Sequence, residues 1–504
     1  MRNFIEPEST TTGLSSPFEF PLELPSRDSR NLLRELHRQL RTAILDGRLK
    51  PGLRLPATRA FAAACGVSRN TAIAAYDLLL SEGYLVTRRK AGTYVAQVLP
   101  QPPARTPAQP QSQPQPVARQ GDPRLNAYWR AAPAPYVPMP APAPRDFQFG
   151  VPEKQFFRFD IWQRLSSRAI RALAKAPAIY SDAQGRAALR EAIAAHVAFA
   201  RAVACRADDV IVTAGAQQAF DLLARILVTP GRTTVAVEDP GYPPMRAAFA
   251  LAGARVAPIP VDEEGLMVDR LPADARIVCV TPSHQFPLGT AMSMRRRTAL
   301  LEFAQTHGAV IVEDDYDGEF RLGARPLDAL QTLDRTASVF YVGTFSKSLF
   351  PALRLGYVVA PPWAQGPLVS LRQHAEWHPA VLPQDTLAAF IAEGHLARHV
   401  RKMREIYGMR RRVLLECLQR DFAGWLEPIA SDAGLHLTAF ANVEQREIER
   451  MLERARDKGV RLESLGAYYA GSSARSGIGF GYGGVDEAGI RDGLAILRDV
   501  WRAG

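Results

Sequence analysis

The chain has 504 residues, of which 47% are hydrophobic and 22% are charged, with a net charge of +11. This length exceeds a single ordinary core and predicts two or three domains. No apolar run is long enough to cross a membrane, and the N-terminus lacks a secretory signal, so we expect a cytoplasmic protein without membrane contact.

The cysteines and the charged residues set two further limits. The four cysteines are widely spaced and form no CxxC pair, which predicts reduced thiols and no metal site. Between Arg27 and Tyr94, thirteen Lys or Arg residues stand against five acidic ones. This basic segment favours a nucleic-acid partner, although a solvated basic face would account for the charge equally well.

Composition divides the chain into four segments. Residues 1–26 are rich in Ser, Thr, Pro and Glu, and we predict them to be disordered. Residues 27–96 have the pattern of a compact helical unit with a terminal hairpin, and residues 97–145 form a Pro- and Gln-rich linker. In residues 146–504, short apolar runs alternate with helical stretches, which predicts an α/β body.

The basic segment has the pattern of a helix-turn-helix. A first helix is predicted from leucines at helical spacing up to Asp46, and two short helices follow, separated by a turn at Gly66. Ser68 is placed to cap the second of these, so Arg69, Asn70 and Thr71 lie at its N-terminal end. Two short β runs then flank basic residues and a turn glycine, which predicts a basic wing.

The segment LPATRAFAAACGVSRNTAIAAYDLLLSEGYLVTRRKAGTYV resembles the winged helix-turn-helix of the GntR superfamily. This resemblance implies contact with double-stranded DNA. The candidate DNA-contacting residues are Arg59, Ser68, Arg69, Asn70, Thr71, Arg88, Arg89 and Lys90. For Arg59 and Arg69, the alternative is an ordinary surface arginine.

The body begins with strand-like runs that are short and almost wholly apolar, as in buried parallel sheets. They are DVIVTAG, TTVAVEDP, ARIVCVTP, AVIVEDDY, SVFYVGT and LGYVVAP. Polar residues follow several of these runs. Because ligands of open α/β sheets bind beyond the carboxyl ends of the strands, these residues are candidates for a binding site.

In TFSKSLFPALRLGY, Lys347 follows a strand. A lysine amine can form a Schiff base with an aldehyde cofactor, and hydroxyl groups and a guanidinium can bind its phosphate. Thr344, Ser346 and Arg354 supply those groups. The alternative is an exposed loop lysine.

Further candidates follow the other strands. In EDDYDGEF, Asp314 can pair with a protonated pyridine nitrogen and Tyr316 can donate to a ring oxygen, with metal binding or helix capping as alternatives for Asp314. Gly215 opens a helix and so provides N–H groups for an anion. Tyr242 is placed to stack on a ring or to pack in its own turn.

In this order, these segments resemble fold-type I aminotransferases, and with the basic head and linker the whole chain resembles MocR/GabR transcription regulators. The implied cofactor is pyridoxal 5′-phosphate (PLP), held by Lys347 as a Schiff base. The implied cofactor-binding residues are Asp314, Tyr316, Thr344, Ser346, Arg354, Tyr242, Gly215, Ala216, Gln217 and Tyr180.

The resemblance also implies the assembly and the domains of the body. Tyr180 matches a tyrosine that reaches the neighbouring subunit's phosphate, so a homodimer is expected, with a head-to-tail exchange suggested by the resemblance. A mostly parallel sheet belongs to a large domain at about 190–375, and a smaller α+β domain is expected at about 385–504. A symmetric dimer predicts an operator with repeated half-sites.

Two departures from aminotransferases weaken the prediction of an efficient enzyme. Phe286 stands where those enzymes carry an asparagine, and glycine stands where a late strand carries the carboxylate-binding arginine. Arg475 and His284 are the remaining candidates for effector contact. We therefore predict a regulator that senses PLP or an amine effector, against two alternatives: an active aminotransferase with a DNA-binding head, and a constitutive DNA-binding protein whose body only dimerises.

Overall fold

The computed structural model describes residues 18, 20, 22–25, 31–88, 91–97, 123–124, 141–322, 328–471 and 475–503. The chain divides into two compact units, Met1–Gln120 and Gly121–Gly504. Most of the predicted linker and of segment 1–26, together with the wing residues Arg89 and Lys90, lie outside the described residues. No described helix is long and apolar enough to cross a membrane.

The described residues of the first unit form three helices and a hairpin, which confirms the predicted winged helix-turn-helix. Its elements are α1 (Leu32–Leu45), α2 (Thr58–Cys65), α3 (Arg69–Ser81), β1 (Leu85–Arg88) and β2 (Gly92–Val95). α2 ends at Gly66, whose φ of +66° allows the left-handed turn into α3. Ser68 then accepts a hydrogen bond from the Thr71 N–H at 3.0 Å and so caps α3.

The second unit is built around an eight-stranded sheet of order β4-β11-β10-β9-β8-β5-β6-β7. The strands are β4 (Val210–Thr213), β5 (Thr234–Asp239), β6 (Arg255–Asp262), β7 (Gly265–Leu266), β8 (Ala275–Val280), β9 (Val310–Asp315), β10 (Val339–Thr344) and β11 (Gly356–Val359). β10, β9, β8, β5 and β6 are parallel, whereas β11 runs antiparallel to both its neighbours. The predicted mostly parallel sheet is therefore confirmed.

Alternate residues of the central strands pack into two different cores, because successive side chains of a strand point to opposite faces. On β5, Val235 and Val237 join the core that contains Phe220. Ala236 instead joins the core that contains Leu300. Helical layers therefore cover both faces, which explains why these strands are continuously apolar.

The helices of the second unit cover the sheet and extend beyond it. They are α4 (Phe159–Leu173), α5 (Ala187–Arg201), α6 (Ala216–Leu227), α7 (Pro243–Leu251), α8 (Met294–His307), α9 (Leu330–Leu333), α10 (Pro362–Glu376), α11 (Val381–Ala392), α12 (His395–Asp421), α13 (Gln445–Asp457) and α14 (Glu487–Arg502). α6 and α7 lie on one face of the sheet and α8 lies on the other.

A four-stranded antiparallel sheet of order β12-β13-β16-β15 lies in the C-terminal part of the chain. Its strands are β12 (Leu426–Pro428), β13 (His436–Ala441), β15 (Glu463–Ser464) and β16 (Gly477–Gly481). Nearby, β3 (Arg145–Asp146) pairs in parallel with β14 (Val460–Arg461). The first residues of the body are therefore joined to its C-terminal part.

Candidate functional site

A cradle suited to an anion lies where β4, β10 and β11 meet. Gly215, with φ of +82°, stands at the N-terminus of α6, and a Cβ there would lie 3.1 Å from both Nη atoms of Arg354. Arg354 Nη2 donates to the Ala214 carbonyl at 2.6 Å, which directs the guanidinium at this helix start. Helix N–H groups and a guanidinium together favour a phosphate.

Two hydroxyl groups belong to the same region. Thr344 is paired with Gly356 across the sheet, and Gly356 is paired with Thr213 at the end of β4. Thr344 Oγ1 lies 3.1 Å from Ser346 Oγ and accepts from the Ser346 N–H at 3.2 Å. The structure therefore brings the predicted phosphate-binding hydroxyls to the strand ends that carry the cradle.

Lys347 lies directly after these hydroxyls, and its Nζ donates to the Gly150 carbonyl at 3.0 Å. Burial lowers the pKa of Lys347, while the charges of Asp317 and Asp314 oppose this lowering and that of Arg354 adds to it. A lowered pKa leaves a larger fraction of neutral amine, which is the form that attacks an aldehyde.

Asp314, on β9, is 3% exposed, and no described residue makes a hydrogen bond to its Oδ1. Burial, followed by the charge of Asp315, raises the pKa of Asp314 well above its ordinary value, and Lys347 opposes this rise. A buried carboxylate oxygen without a partner is costly. The carboxylate of Asp314 fits the protonated ring nitrogen of PLP. The cradle fits the phosphate of PLP, and Lys347 fits its aldehyde.

Tyr316 and Tyr242 contribute aromatic side chains close to Asp314. Burial raises the pKa of Tyr316 well above its ordinary value, and the charges of Asp317 and Asp314 add to the rise, so the phenol remains a hydrogen-bond donor. Burial raises the pKa of Tyr242 to about 12, with Asp314 raising and Arg354 lowering it. The charges of Asp314 and Arg354 therefore both act on Tyr242.

The first unit presents a separate polar surface. Arg59, Ser68, Arg69 and Asn70 are exposed at α2 and α3, and Thr71 is partly exposed. On α1, Arg38 is paired with Glu35 at 2.5 Å, whereas Arg59 and Arg69 have no ion pair within the described part of the chain. Arg88 lies over the ring of Tyr94 at 4.7 Å. Arg89 and Lys90 are outside the described residues.

Comparisons with known proteins cover both units. Residues 32–95 match the family of bacterial regulatory proteins of the gntR type, and residues 157–460 match aminotransferase class I and II. The chain is 38% identical to the probable rhizopine catabolism regulatory protein MocR of Rhizobium meliloti, over 93% of this chain and 94% of that protein. This chain belongs to the MocR/GabR-type regulators.

A second regulator matches nearly the whole chain, and a solved aminotransferase matches the second unit. The HTH-type pyridoxine biosynthesis transcriptional regulator PdxR of Corynebacterium glutamicum is 31% identical over 96% of this chain and 98% of its own length. A kynurenine aminotransferase of Pyrococcus horikoshii, solved with PMP, matches 71% of this chain and 91% of its own with a TM-score of 0.66 and 27% identity. The chain therefore unites a regulator's DNA-binding head with an aminotransferase fold.

The two sequence departures of this family member have visible structural counterparts. Phe286 is buried, with its ring centroid 5.3 Å from that of Tyr242 and 5.7 Å from that of Tyr316, and both ring pairs are nearly perpendicular. An apolar ring therefore occupies the position at which aminotransferases carry an asparagine amide.

The glycine-rich strand β16 is crossed by the segment that precedes α4. A Cβ on Gly479 would lie 2.0 Å from Cζ of Phe149, and one on Gly481 would lie 2.1 Å from the Gln148 carbonyl oxygen. These positions have no room for side chains. Arg475 itself is exposed, with its guanidinium carbon 3.4 Å from the ring centroid of Phe440.

Sequence reasoning missed the residues that contact the predicted set from elsewhere in the chain. Gly150 accepts from Lys347, and Asp317 accepts from the ring of His284, which is itself buried. Alternating glycines in SGIGFGYGG were the available signal for the crossing segment. Asp317 is only three positions after Asp314, but nothing in the local pattern separates the two carboxylates by role.

Tyr180 lies at the rim of the unit and is 72% exposed. Its ring packs on Trp377 with centroids 4.8 Å apart. The residue before Trp377, Glu376, accepts a hydrogen bond from Gln218 at 3.1 Å, in the first turn of α6. The exposed tyrosine is thus connected to the helix that begins at the cradle.

Proposed function

We propose that this regulator binds PLP through Lys347 and that PLP occupancy, or the arrival of an amine effector, alters its binding to operator DNA. One observation carries the proposal: a half-buried lysine of lowered pKa shares a site with a buried carboxylate, one of whose oxygens has no partner among the described residues, and with a cradle suited to an anion. Relatives that match nearly the whole chain are named as transcription regulators, and one of them is named for pyridoxine biosynthesis.

Each residue has a specific task in this proposal. When bound, PLP supplies an aldehyde carbon that an amine can attack and a ring that withdraws electrons from it. Arg354, the hydroxyls and the start of α6 hold the phosphate, Asp314 holds the proton of the ring nitrogen, and Tyr316 donates to the ring oxygen. Tyr242 packs beside the ring. The exposed Tyr180 is available to a partner subunit, in accordance with a homodimer.

The near-ultraviolet and visible absorbance of the purified full-length protein tests the cofactor assignment. We expect a Schiff-base band after PLP is added to wild type and no such band in Lys347→Ala. Lys175→Ala, at an exposed lysine of the same unit, is the matched control and should retain the band. A wild-type protein without the band would instead support a constitutive DNA-binding role.

Binding of the purified protein to the DNA upstream of its own gene tests the regulatory half of the proposal. We expect sequence-specific binding whose affinity or footprint differs between the PLP-free and PLP-bound protein, because only a ligand that binds two states differently can shift their populations. Identical binding with and without PLP, and with a panel of amines, would contradict the proposed sensing.

A second candidate is an aminotransferase that carries a DNA-binding head. It is favoured by the likeness to the kynurenine aminotransferase and by the full set of predicted cofactor residues. The discriminating measurement is repeated turnover of an amino donor with an oxo-acid acceptor. We expect at most a single half-reaction, because Phe286 replaces the asparagine that contacts the ring oxygen in aminotransferases, and glycine replaces their substrate-carboxylate arginine.

A further inference from the structure

Three buried polar side chains at the carboxyl ends of β8 and β9 form a connected group. The hydroxyl oxygen of Tyr316 lies 2.9 Å from Nδ1 of His284 and donates to the His284 carbonyl at 3.1 Å. The same Nδ1 lies 3.0 Å and 3.2 Å from the two carboxylate oxygens of Asp317. His284 is 2% exposed and Asp317 is 1% exposed, so water does not compete for these bonds.

The bonding pattern fixes where the protons lie. The carboxylate oxygens of Asp317 accept, so Nδ1 of His284 carries the proton that lies between them. No described residue makes a hydrogen bond to Nε2 of the same ring. Since Nδ1 donates, it cannot accept the Tyr316 proton, which points to the His284 carbonyl instead. Tyr316 is therefore held as a donor whose proton can turn to a nearby ring oxygen.

Asp317 also acts on the site by its charge. Among the charges that affect Lys347, that of Asp317 has the largest raising effect on the pKa, ahead of Asp314. It is likewise the largest charge effect that raises the pKa of Tyr316. A carboxylate outside the predicted cofactor set thus influences both the amine and the phenol of the site.

His436 closes the other side of the group. Its ring centroid lies 4.8 Å from that of His284, and its Nε2 is 3.1 Å from the Pro287 carbonyl. Burial, followed by the charge of His284, lowers the pKa of His436 well below its ordinary value, so it adds no positive charge. The remaining groups whose charges act on Tyr316 or Lys347 are Asp314, Asp315, Glu238 and Arg354.

Metal binding is the other chemistry available to these side chains. His284, Asp317 and His436 place possible ligand atoms within 4.8 Å of one another. However, Nδ1 of His284 and Nε2 of His436 are both engaged in hydrogen bonds. The observed contacts therefore favour a hydrogen-bond network that ends at Tyr316.

We propose that His284 and Asp317 are positioning residues that act through Tyr316, holding its hydroxyl as a donor to the ring oxygen of PLP and so setting how readily the Schiff-base nitrogen at Lys347 loses its proton. This inference rests on the cofactor site proposed above. A donor at the ring oxygen stabilises its negative charge and weakens its attraction for the proton on the neighbouring nitrogen. That proton is then released to solvent at lower pH.

The test is a double-mutant cycle read by the pH titration of the Schiff-base absorbance in the full-length, PLP-bound protein. Tyr316→Phe should raise the pKa of the Schiff-base nitrogen by about one unit, on the scale of one lost hydrogen bond. His284→Gln keeps a donor for Asp317 but removes the ring nitrogen beside Tyr316. This variant should raise the pKa of the Schiff-base nitrogen by about half a unit. In the Tyr316→Phe background, His284→Gln should leave the pKa of the Schiff-base nitrogen almost unchanged. The hydroxyl through which His284 acts is already missing, so the two effects are not additive.

Asp317→Asn provides a second cycle that remains decisive if His284→Gln does not fold. Loss of the carboxylate charge should lower the pKa of the Schiff-base nitrogen in the Tyr316→Phe background. With Tyr316 present, loss of Asp317 also leaves the phenol less firmly held as a donor, which raises the pKa of the Schiff-base nitrogen. The net lowering of this pKa should therefore be smaller or reversed. His374→Gln, at an exposed histidine on α10, is the matched control and should titrate as wild type.

The outcomes separate this inference from the proposed function. His284→Gln and Asp317→Asn could shift the pKa of the Schiff-base nitrogen equally in the wild-type and Tyr316→Phe backgrounds, or in neither. Either result overturns the positioning role, while the band itself upholds the cofactor site. A wild-type protein with no Schiff-base band after addition of PLP overturns the cofactor site and this inference together. Coupled shifts in either cycle support the positioning role.

Discussion

In the first unit the described residues assigned to DNA contact are exposed or partly exposed, whereas in the second unit Asp314 and Tyr316, assigned to PLP, are buried. Arg59 and Arg69 have no ion pair among the described residues, and water solvates them. Asp314 also has an oxygen without a partner, but it is removed from water. An exposed unpaired charge costs the fold little, whereas a buried one destabilises it until a ligand arrives.

This difference leads to a general expectation. Substitutions of the exposed arginines on the DNA-binding surface should change affinity and leave stability unchanged. Substitutions of buried polar groups at the cofactor site should change both the affinity for PLP and the stability of the cofactor-free protein. Where the group has no partner in the cofactor-free protein, its loss should lower the affinity and raise the stability. The following experiments test this contrast in order of decreasing expected effect.

Asp314→Asn should have the largest effect, because it removes a buried charge that would pair with the ring nitrogen. We expect the dissociation constant of PLP to rise about 100-fold or more, as when a buried ion pair is broken. The cofactor-free protein should become more stable by about 1–3 kcal/mol, because an unpartnered buried carboxylate is gone. Equilibrium binding and denaturant unfolding measure the two effects.

Asp269→Asn is the matched control for this experiment, since Asp269 is exposed on the same unit. It should change neither quantity. If Asp314→Asn bound PLP as tightly as wild type, the ring nitrogen would not depend on this carboxylate, and the contrast between the two units would lose its main support.

Glu238 gives a pH-dependent effect on stability. Burial raises its pKa to about 7. A folded-state pKa above the unfolded value means that the contribution to stability is fully present below about pH 4.5 and is lost as the pH rises through about 7. We therefore expect Glu238→Gln to stabilise the cofactor-free protein at pH 8 by about 1–3 kcal/mol, with a smaller difference at each lower pH.

Thermal unfolding followed between pH 4.5 and pH 8 measures this effect. Glu313 is also buried with its pKa raised to about 7. The single substitution should therefore reduce the pH dependence without abolishing it. A difference between Glu238→Gln and wild type that stays constant across this range would show that Glu238 does not titrate there.

Arg69→Ala tests the DNA-binding surface. We expect operator affinity to fall about 10-fold, the scale of one lost arginine contact, with no change in the unfolding midpoint of the head. If Arg59 contacts a phosphate, Arg59→Ala should reduce by about one the slope of log binding constant against log salt concentration. Arg38→Ala, at an arginine already paired with Glu35, is the control and should bind as wild type.

Ser68→Ala should have the smallest effect. The Ser68 hydroxyl caps α3 by accepting from the Thr71 N–H, so its loss should destabilise the head by about 1 kcal/mol. Ser68→Asp retains an acceptor and should restore most of the stability. Ser81→Ala, at the other end of α3, is the control. A full loss of stability in Ser68→Asp as well would assign Ser68 a role other than capping.

The sequence by itself determined the features that depend on neighbouring residues. Continuous apolar runs predicted strands buried on both faces, and the polar residues after them predicted which edge of the sheet carries the site. The turn at Gly66 and the cap at Ser68 were visible as local patterns because helix ends are set by residues within one turn. Strand β6 was missed because Pro258 and Pro260 interrupt its apolar pattern.

Only the tertiary structure decided the contacts between distant parts of the chain. Lys347 and Gly150, which share a hydrogen bond, are 197 positions apart. Phe149 fills the space above Gly479, and Asp317 contacts the ring of His284. Hydrophobic periodicity reports which face of an element is buried but not which element covers it. The candidate cofactor residues could therefore be proposed from the sequence, whereas the residues that contact them from elsewhere in the chain depended on the fold.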